Sequence, residues 1–594
     1  MKKIFTILSI AVLFAVLPGC DDLLDKQPLS QIPESGYFKN AQDLEFFTNP
    51  LYNMLNMNDR LQSDHLVQMT LSDIIIGGNR RTVPNSGGGW DWTDLRRINT
   101  LLARVNQCED ESAVLKYSAV ARFFRAMFYF NKIKQFGDVP WYDTELNSSD
   151  ENLYKARDTR ELVMTKMIED IDYAIINLPA DVSVFRVNMW TALALKARFC
   201  LYEGTFRKYR GGSDADKYLE LSAAAAKTLI DGKKYKLFTA GGQDKAYFTL
   251  FSQDDADKDE YILAIDYSSS PRVNHDASSF TMSFGQGRPS YTKKFVNTYL
   301  MKDGTRFTEQ AGWQTMTFID ELKDRDPRLS QSIRNPKFTL ADNKPFPNKF
   351  AISVDGYHPI KFLQDETKGY DVRVGYSSND LPVFRYAEVL LNYAEAKAEL
   401  GTLTQADIDI SIKLLRDRVG MPNFDVAAAN ANPDPYLLST EAGYTNVTAA
   451  NKGAILEIRR ERAIELVQEG FRIDDLVRWK AGYCIDQPLV GIYFPGPGEY
   501  DMTGNGSTDL VLYARGTTKP ADVVGVEMYE IGAPVNNGGI ILTEGTKGNV
   551  FFHSNITLTG FNENRDYLYP IPINERSLNR NLVQNPGWDD GLNF

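Results

Sequence analysis

Residues that could perform acid–base or metal chemistry do not form a recognisable pattern in this chain of 594 residues. The four histidines, His65, His275, His358 and His553, are too far apart in sequence to share a helix face. HExxH, GxSxG, P-loop and dinucleotide-binding motifs are absent. Acidic residues are so abundant that many pairs could be drawn for glycoside hydrolysis, and only geometry could select one. We therefore predict that the chain is not an enzyme and holds no metal or cofactor.

Aromatic and polar side chains on loops are better candidates, because rigid scaffolds usually carry their recognition residues there. An indole can cover the apolar C–H face of a sugar ring while amides and guanidinia bond its hydroxyls. Two loops combine these residue types, one before residue 92 and one spanning 267–313. The six candidate ligand-binding residues in these loops are Trp90, Asn79, Arg81, Arg288, Tyr291 and Trp313.

A structural role is the alternative for the tryptophans of the first loop. Trp90 follows three glycines, whereas Trp92 lies at the start of the helix predicted over 91–107, and either ring could pack on the helix N-terminus. Trp313 lies in the polar segment EQAGWQT, where a core role is less obvious. Trp141, Trp190, Trp479 and Trp588 lie in helical or otherwise regular stretches, and we expect them to be structural.

Charge and cysteine content exclude several classes of function. The net charge of −12 and the pI of about 5.1 argue against nucleic acid, because a phosphate-binding protein needs a basic surface. Phe, Tyr and Trp together make up 12% of the residues. We expect only part of them to fill the core, which leaves others available to contact a ligand. Cys108, Cys200 and Cys484 show no metal-like spacing, so we expect buried thiols and no disulfide framework.

The N-terminus has the pattern of an export signal. Lys2 and Lys3 precede an apolar run over residues 4–17, which is too short to span a bilayer and typical of a signal peptide. The run ends in Leu-Pro-Gly-Cys20, which resembles the bacterial lipobox, where the cysteine is acylated and becomes the mature N-terminus. Pro18 departs from the usual small residue there, and the alternative is an unrelated cysteine after a conventional signal peptide.

Helical periodicity dominates the rest of the chain and predicts a mainly α fold. The predicted helices are 41–57, 91–107, 113–136, 158–177, 187–203, 214–230, 384–400, 404–419, 451–469 and 473–480. Residues 232–383 are rich in loops, with short strands at Tyr261–Ile265 and Phe350–Val354, while 422–449 and 481–560 are also loop-rich, the latter with a strand at Leu510–Tyr513. Paired helices with alanine contacts resemble tetratricopeptide units. We therefore predict a tetratricopeptide-like helix-pair superhelix, with a loop-rich mixed subdomain, in one intertwined domain.

Two of these helices carry unusual polar patterns. In 384–400 the spacing predicts a solvent-facing stripe, which consists of Glu388, Asn392, Glu395 and Glu399. Helix 451–469 mixes apolar and charged residues, and the pairs Glu457–Arg460 and Arg462–Glu465 are each three residues apart. We expect this helix to pack between neighbouring helices, and we expect its charged side chains to fix how those helices dock. The alternative is a solvated face of salt bridges.

Four ordered stretches resemble the SusD/RagB family of surface glycan-binding lipoproteins. They are RFFRAMFYFNKIKQFGDVPW (122–141), FRYAEVLLNYAEAKAELG (384–401), EIRRERAIELVQEGFRIDDLVRW (457–479) and YLYPIPINERSLNRNLVQNPGW (567–588). The resemblance implies four tetratricopeptide-like helix pairs. It also implies that the protein captures an oligosaccharide and passes it to a SusC-like TonB-dependent transporter. Peptide capture, glycoside hydrolysis and a bare helical scaffold are the alternatives.

The same resemblance suggests how the chain is divided and where it resides. Residues 1–19 would form the signal peptide, 20–40 a tether, 41–231 an N-terminal helical part, 232–383 a mixed insertion and 384–594 the C-terminal part. The acidic residues that follow Cys20 resemble an export tag for the outer face of the outer membrane, and they are Asp21, Asp22 and Asp25. We therefore expect a surface-exposed protein anchored in the outer membrane through Cys20.

The anchor can be tested by one substitution. Because Cys20 is the predicted acyl acceptor, Cys20→Ala should release the protein into the soluble periplasmic fraction, since an acyl chain is needed to hold it at the membrane. Fractionation followed by a carbonate wash measures this. Retention of the variant in the washed membranes would contradict the lipoprotein assignment.

Overall fold

A computed structural model describes residues 37–55, 82–181, 183–269, 272–283, 289–339, 349–350, 353–364, 374–486, 490–533, 538–551 and 561–594. Helices predominate in these ranges. In chain order they are α1 Ala41–Thr48, α2 Thr93–Arg104, α3 Glu111–Phe136, α4 Arg160–Asn177, α5 Met189–Lys208, α6 Ala215–Asp231, α7 Ala246–Ser252, α8 Ala277–Met282, α9 Lys293–Val296, α10 Phe318–Glu321, α11 Pro327–Ser332, α12 Tyr386–Glu399, α13 Gln405–Asp409, α14 Ile412–Arg418, α15 Val426–Ala431, α16 Pro435–Leu438, α17 Lys452–Glu465, α18 Arg472–Arg478 and α19 Ile573–Leu578.

The strands are short and belong to small sheets. They are β1 Tyr261–Ile265, β2 Ser268–Ser269, β3 Arg272–Val273, β4 Leu381–Arg385, β5 Val490–Phe494, β6 Gly498–Tyr500, β7 Leu510–Tyr513, β8 Glu527–Ile531, β9 Gly539–Ile540 and β10 Gly548–Phe551. Antiparallel pairs join β1 to β4, β2 to β3 and β5 to β10. The order β6-β7-β8-β9 forms a four-stranded sheet, antiparallel between β6 and β7 and parallel beyond. The strands predicted at 261–265 and 510–513 are confirmed, whereas residues 351–352 of the third lie outside the described ranges.

The long helices form a continuous stack. The order of packing is α2 against α3, α3 against α4, α4 against α5 and α5 against α6. The stack then continues from α6 to α12 and from α12 to α17. Side-chain caps begin several of them, for example Asp110 at α3 and a capping box at Asn188 before α5. Gly204 of α5 lets α6 approach closely, because an added Cβ would lie 2.7 Å from Cγ of Leu219. The main apolar core follows this stack from Phe38 to Leu582, so both ends of the described chain contribute to it.

Most predicted helices are confirmed with shifted ends. The helix predicted at 404–419 is two helices, α13 and α14, and α17 ends at Glu465 in a turn that includes Gln468 and Gly470 at positive φ. The prediction of a loop over 422–449 is wrong in part, because this segment contains α15 and α16. Among the described residues, Cys108, Cys200 and Cys484 are buried and free, and none of the described helices combines the length and apolar character needed to cross a membrane.

Helix α17 carries charged side chains into the core. Glu461 accepts from Arg416 Nε at 2.7 Å and from Arg328 at 2.9 Å, and all three side chains are buried. Burial alone would raise the pKa of the Glu461 carboxyl, but the two guanidinia outweigh it and the pKa lies below its usual value. The prediction that this helix packs between its neighbours is confirmed, and the alternative of a solvated face of salt bridges is wrong.

Glu465, one turn later, ties three more segments together. It accepts from Arg385 at the end of β4 at 2.8 Å and from Arg418 at the end of α14 at 2.5 Å. Both arginines also pair with Glu260, and Arg385 forms a further ion pair with Glu469 at 2.6 Å. Burial raises the pKa of Glu465, yet Arg418 and Arg385 outweigh this effect and lower it to about 2. The carboxylate is therefore ionised inside the core.

One of the two ion pairs predicted within α17 is observed, and the other is not. Glu457 and Arg460 form the predicted pair at 2.5 Å. Arg462, however, binds Asp475 of α18 at 2.8 Å, because Glu465 is turned toward the arginines of other segments. Pairing between elements replaces pairing within the helix, as expected for charges in a buried position.

The solvent-facing stripe predicted on α12 is wrong. Its four residues are all buried, and they are Glu388, Asn392, Glu395 and Glu399. Glu388 binds Arg198 of α5 at 2.6 Å, and Glu395 binds Arg478 of α18 at 2.5 Å. A polar stripe with helical spacing thus faces arginines of neighbouring helices, and this arrangement is indistinguishable in sequence from a solvated face.

The buried ion pairs give a stability prediction. Glu461→Ala removes the shared carboxylate of Arg328 and Arg416, and it should lower the free energy of unfolding by roughly 3–5 kcal/mol in chemical denaturation. As a matched control, Glu169→Ala breaks the exposed pair with Lys166 on α4 and should leave the free energy of unfolding nearly unchanged. Equal, small effects for both variants would contradict the structural role of the α17 charges.

Candidate functional site

Trp90 does not face solvent. Its side chain is 7% exposed, and its ring centroid lies 4.8 Å from Phe136 and 5.5 Å from Trp92. Lys132 of α3 donates to the carbonyl of Gly89 at 2.5 Å, which holds the preceding glycines against the same helix. The ligand role predicted for Trp90 is therefore wrong, and the structural alternative explains it.

Tyr291 is also a core residue. Its side chain is fully buried in a second apolar cluster, where its ring packs edge-on against Phe295, and its hydroxyl donates to Gln468. Its predicted ligand role is wrong for that reason. The other three predicted residues lie outside the described ranges, and they are Asn79, Arg81 and Arg288.

Among the predicted residues that the structure describes, Trp313 is the accessible one. It begins a 3-10 helix, Trp313–Thr315, and its indole is half-buried. Its ring packs edge-to-face against Tyr436 at 5.7 Å and Phe307 at 6.3 Å. The rings that contact Trp90 are Trp92 and Phe136, whereas those that contact Trp313 are Phe307 and Tyr436, so the two tryptophans have no ring partner in common. We call Trp313, with the exposed Gln314 and Thr315 beside it, the Trp313 surface.

The support beneath Trp313 is fixed by hydrogen bonds. The Tyr436 hydroxyl donates to the carbonyl of Lys294 at 3.1 Å and accepts from Asn297 at 3.3 Å. Asp434 caps the short helix α16 by accepting from the backbone N–H of Tyr436 at 2.8 Å. The indole is thus held in place before any ligand arrives, which limits the entropy lost on binding.

A cleft of about 230 Å³ opens next to this surface. The helix that begins at Trp313 packs beside β5, and the residues directly after it line the cleft. We call this feature the acidic cleft, and its lining residues are Thr317, Phe318, Ile319, Tyr493, Phe494, Glu499, Tyr500, Asp501 and Met502. The cleft therefore begins two residues after this helix in sequence, and four of its lining side chains are aromatic.

Two acids give the cleft its charge. Glu499 is exposed, and its Oε2 accepts from the Thr508 hydroxyl at 3.0 Å. Asp501 accepts from the backbone N–H groups of Gly504 and Gly506, each at 2.6 Å. Burial raises the pKa of Asp501, but these N–H groups outweigh it, so the pKa lies below its usual value and the side chain is ionised at neutral pH.

A larger opening, of about 450 Å³, lies between the loop after α6 and α14. Its two tyrosines, Tyr235 and Tyr386, are 8% and 6% exposed. Neither therefore presents a ring face on which a sugar could stack. The smaller cleft beside Trp313 is the better candidate because it combines accessible aromatic rings with polar groups. Among the described residues, no group of three or more His, Cys, Asp or Glu side chains could hold a metal ion.

The sequence did not reveal the acidic cleft or the support of Trp313. Tyr436, Tyr493, Glu499 and Tyr500 are more than a hundred residues from Trp313 in sequence, and only the fold brings them together. The signal that could have indicated the cleft is the glycine-rich stretch PGPGEYDMTGNGSTD (495–509), which places an aromatic ring and acids on a loop.

Comparison with known proteins identifies the family. Residues 259–588 match the model of the SusD family, which is more than half of the chain. The chain belongs to the SusD family. Residues 90–201 match a second family model, described as starch-binding associating with outer membrane. The SusD-like protein P38 of Formosa agariphila is 24% identical over 526 residues, which is 83% of this chain and 94% of that protein.

Solved SusD-like structures share the fold. A SusD-like protein from Bacteroides fragilis matches with a TM-score of 0.67 at 21% identity, covering 95% of this chain and all of that one. A SusD-like carbohydrate-binding protein from the same species matches with a TM-score of 0.65 at 21% identity, covering 92% and 99%. The predicted fold class, a mainly α tetratricopeptide-like stack with short strands, is confirmed.

Proposed function

We propose that this SusD-family protein is a glycan-binding protein without catalytic activity, and that a glycan binds across the Trp313 surface and the acidic cleft. The observation that carries the proposal is the accessible indole of Trp313, held on Tyr436 beside a cleft lined by further aromatic rings. The apolar face of a sugar can stack on the indole, while hydroxyls on its rim donate to Glu499. The chain carries no catalytic motif, and binding requires none.

The family also suggests where the protein acts and with which partner. We propose that Cys20 carries a lipid anchor, that the protein lies on the outer face of the outer membrane, and that it delivers its glycan to a SusC-like TonB-dependent transporter. The matched family description, starch-binding associating with outer membrane, supports the location. The lipobox-like sequence at Cys20 supports the anchor, although it lies outside the described residues.

Binding through Trp313 gives a quantitative prediction. Trp313→Ala should weaken glycan binding by at least about tenfold, or ~1.4 kcal/mol, because truncation of an aromatic anchor in a binding surface commonly costs more than this. A panel of neutral oligosaccharides and peptides first identifies the ligand, and calorimetry then gives the affinities. Unchanged affinity of the variant would remove Trp313 from the site. Reducing-sugar release from the same panel would contradict a role without catalysis.

Trp90→Ala is the matched control for that experiment. Trp90 packs on Phe136 in the core, so its truncation should lower the melting temperature, whereas Trp313→Ala should leave it nearly unchanged. Loss of binding in Trp313→Ala together with a collapsed melting temperature would mean that this indole is also structural.

Delivery to a transporter predicts a physical complex. A tagged form of the full chain should co-purify from detergent-solubilised outer membranes with a large TonB-dependent transporter, identified by mass spectrometry. The Cys20→Ala form, expressed at the same level, serves as the control because it should not reach the membrane. Purification of the anchored protein without any such transporter would contradict the delivery role.

A further inference from the structure

The acidic cleft carries charge of one sign only. Of its nine lining residues, Glu499 and Asp501 are acidic, and none is lysine, arginine or histidine. The remaining polar groups are a threonine hydroxyl and the phenols of Tyr493 and Tyr500. A ligand in this cleft therefore meets hydrogen-bond acceptors and negative charge, and the described lining residues supply no compensating cation.

Glu499 is held in this position by the sheet. It lies in β6, where it is paired with Val511 of β7, and its Oε2 accepts from Thr508. The neighbouring Tyr500 packs on the buried Phe494 with ring centroids 4.8 Å apart, which fixes the strand against β5. The other oxygen of Glu499, Oε1, has no hydrogen bond among the described residues, so it is available to a ligand.

Arg306, an arginine near the Trp313 surface, pairs with neighbouring acids. Arg306 directly precedes Phe307, on which the indole of Trp313 packs. Its guanidinium is 2.8 Å from Glu309 and 3.6 Å from Asp434. Arg306 is thus engaged with two acids of its own surroundings, and one of these, Asp434, also pairs with Arg460.

We infer that this site selects neutral glycans and discriminates against glycans that carry carboxylate or sulfate groups. The inference rests on the proposed glycan-binding function and adds the substrate class. Sugar hydroxyls can donate to Glu499. An anionic substituent would instead lie beside two carboxylates, with no cation among the lining residues that the structure describes, and like charges in such a setting disfavour binding. The net charge of −12 adds a longer-range repulsion that salt screens.

Matched pairs of polysaccharides test this inference on the full chain. Dextran, laminarin, galactomannan and xyloglucan are each compared with their own carboxymethylated form in affinity gel electrophoresis and calorimetry. A chelator is present throughout, so that no divalent cation bridges the carboxylates. For the glycan that binds, we expect the carboxymethylated form to bind at least about tenfold more weakly at about 0.1 M salt. The difference should narrow at about 1 M salt, where the Debye length falls from about 10 Å to about 3 Å.

Two substitutions localise the effect to the cleft. Glu499→Gln should reduce the preference for the neutral form, and Glu499→Lys should reduce it further or reverse it, because each step removes negative charge at the rim. Glu220→Gln, in an exposed position on α6, changes the net charge like the first variant and should leave the preference unchanged. Thermal melts of all variants establish whether each is folded. If Glu499→Lys does not fold, the conservative Glu499→Gln alone tests whether the preference depends on the charge of Glu499.

The outcomes separate this inference from the function on which it rests. If the wild-type protein binds a glycan but binds its carboxymethylated form equally well or better, neutral selectivity is overturned and glycan binding stands. If the preference is the same in Glu499→Gln, Glu499→Lys and Glu220→Gln, the acidic cleft is not its source. If no glycan in the panel or its derivatives binds, both the proposed function and this inference are overturned.

Discussion

The chain is assembled around carboxylates that are buried in its core. An ionised acid in such a place is tolerated only when cations reach it, since the penalty for an unpaired buried charge is several kcal/mol. Glu461 and Glu465 of α17 therefore require Arg328, Arg385 and Arg418, which come from three separate segments of the chain. Each segment must be in its final position before the charges are compensated. The ion pairs are therefore complete only when these segments of helix and strand lie together as they do here.

The same constraint reaches the candidate binding surface. Trp313 lies on a long connection between α9 and α11, and this connection is fastened on its C-terminal side. Glu321 pairs with Lys293 at 2.8 Å, Arg325 donates to the carbonyl of Tyr299 at 2.9 Å, and Arg328 joins Glu461. Because Glu321 and Arg325 reach Lys293 of α9 and Tyr299 just after it, the two ends of the connection are held together, and the segment that carries Trp313 lies between them. This is how a loop can hold an indole in a defined position.

The sequence predicted the helices better than it predicted their polar faces. Apolar spacing and capping residues are local, so the predicted α3, α5 and α12 lie within a few residues of their observed ends. The stripe of acids on α12 is predicted to face solvent, because a face that meets water and a face that meets arginines have the same helical period. Arg198 and Arg478, which pair with Glu388 and Glu395, lie 190 and 83 residues away. Their approach is a property of the fold and is not visible in the spacing.

The candidate site shows the same limit in another form. Trp90 and Trp313 both lie in polar, glycine-containing segments, yet one ring packs on Phe136 in the core and the other is half-exposed. What distinguishes them is the partner that the fold supplies. Acids differ in the same way: Glu465 is surrounded by arginines and serves the structure, whereas Glu499 has a single hydroxyl partner among the described residues and keeps an oxygen available. In a chain with so many acids, the partners of each carboxylate can be recognised only once the arginines have been placed.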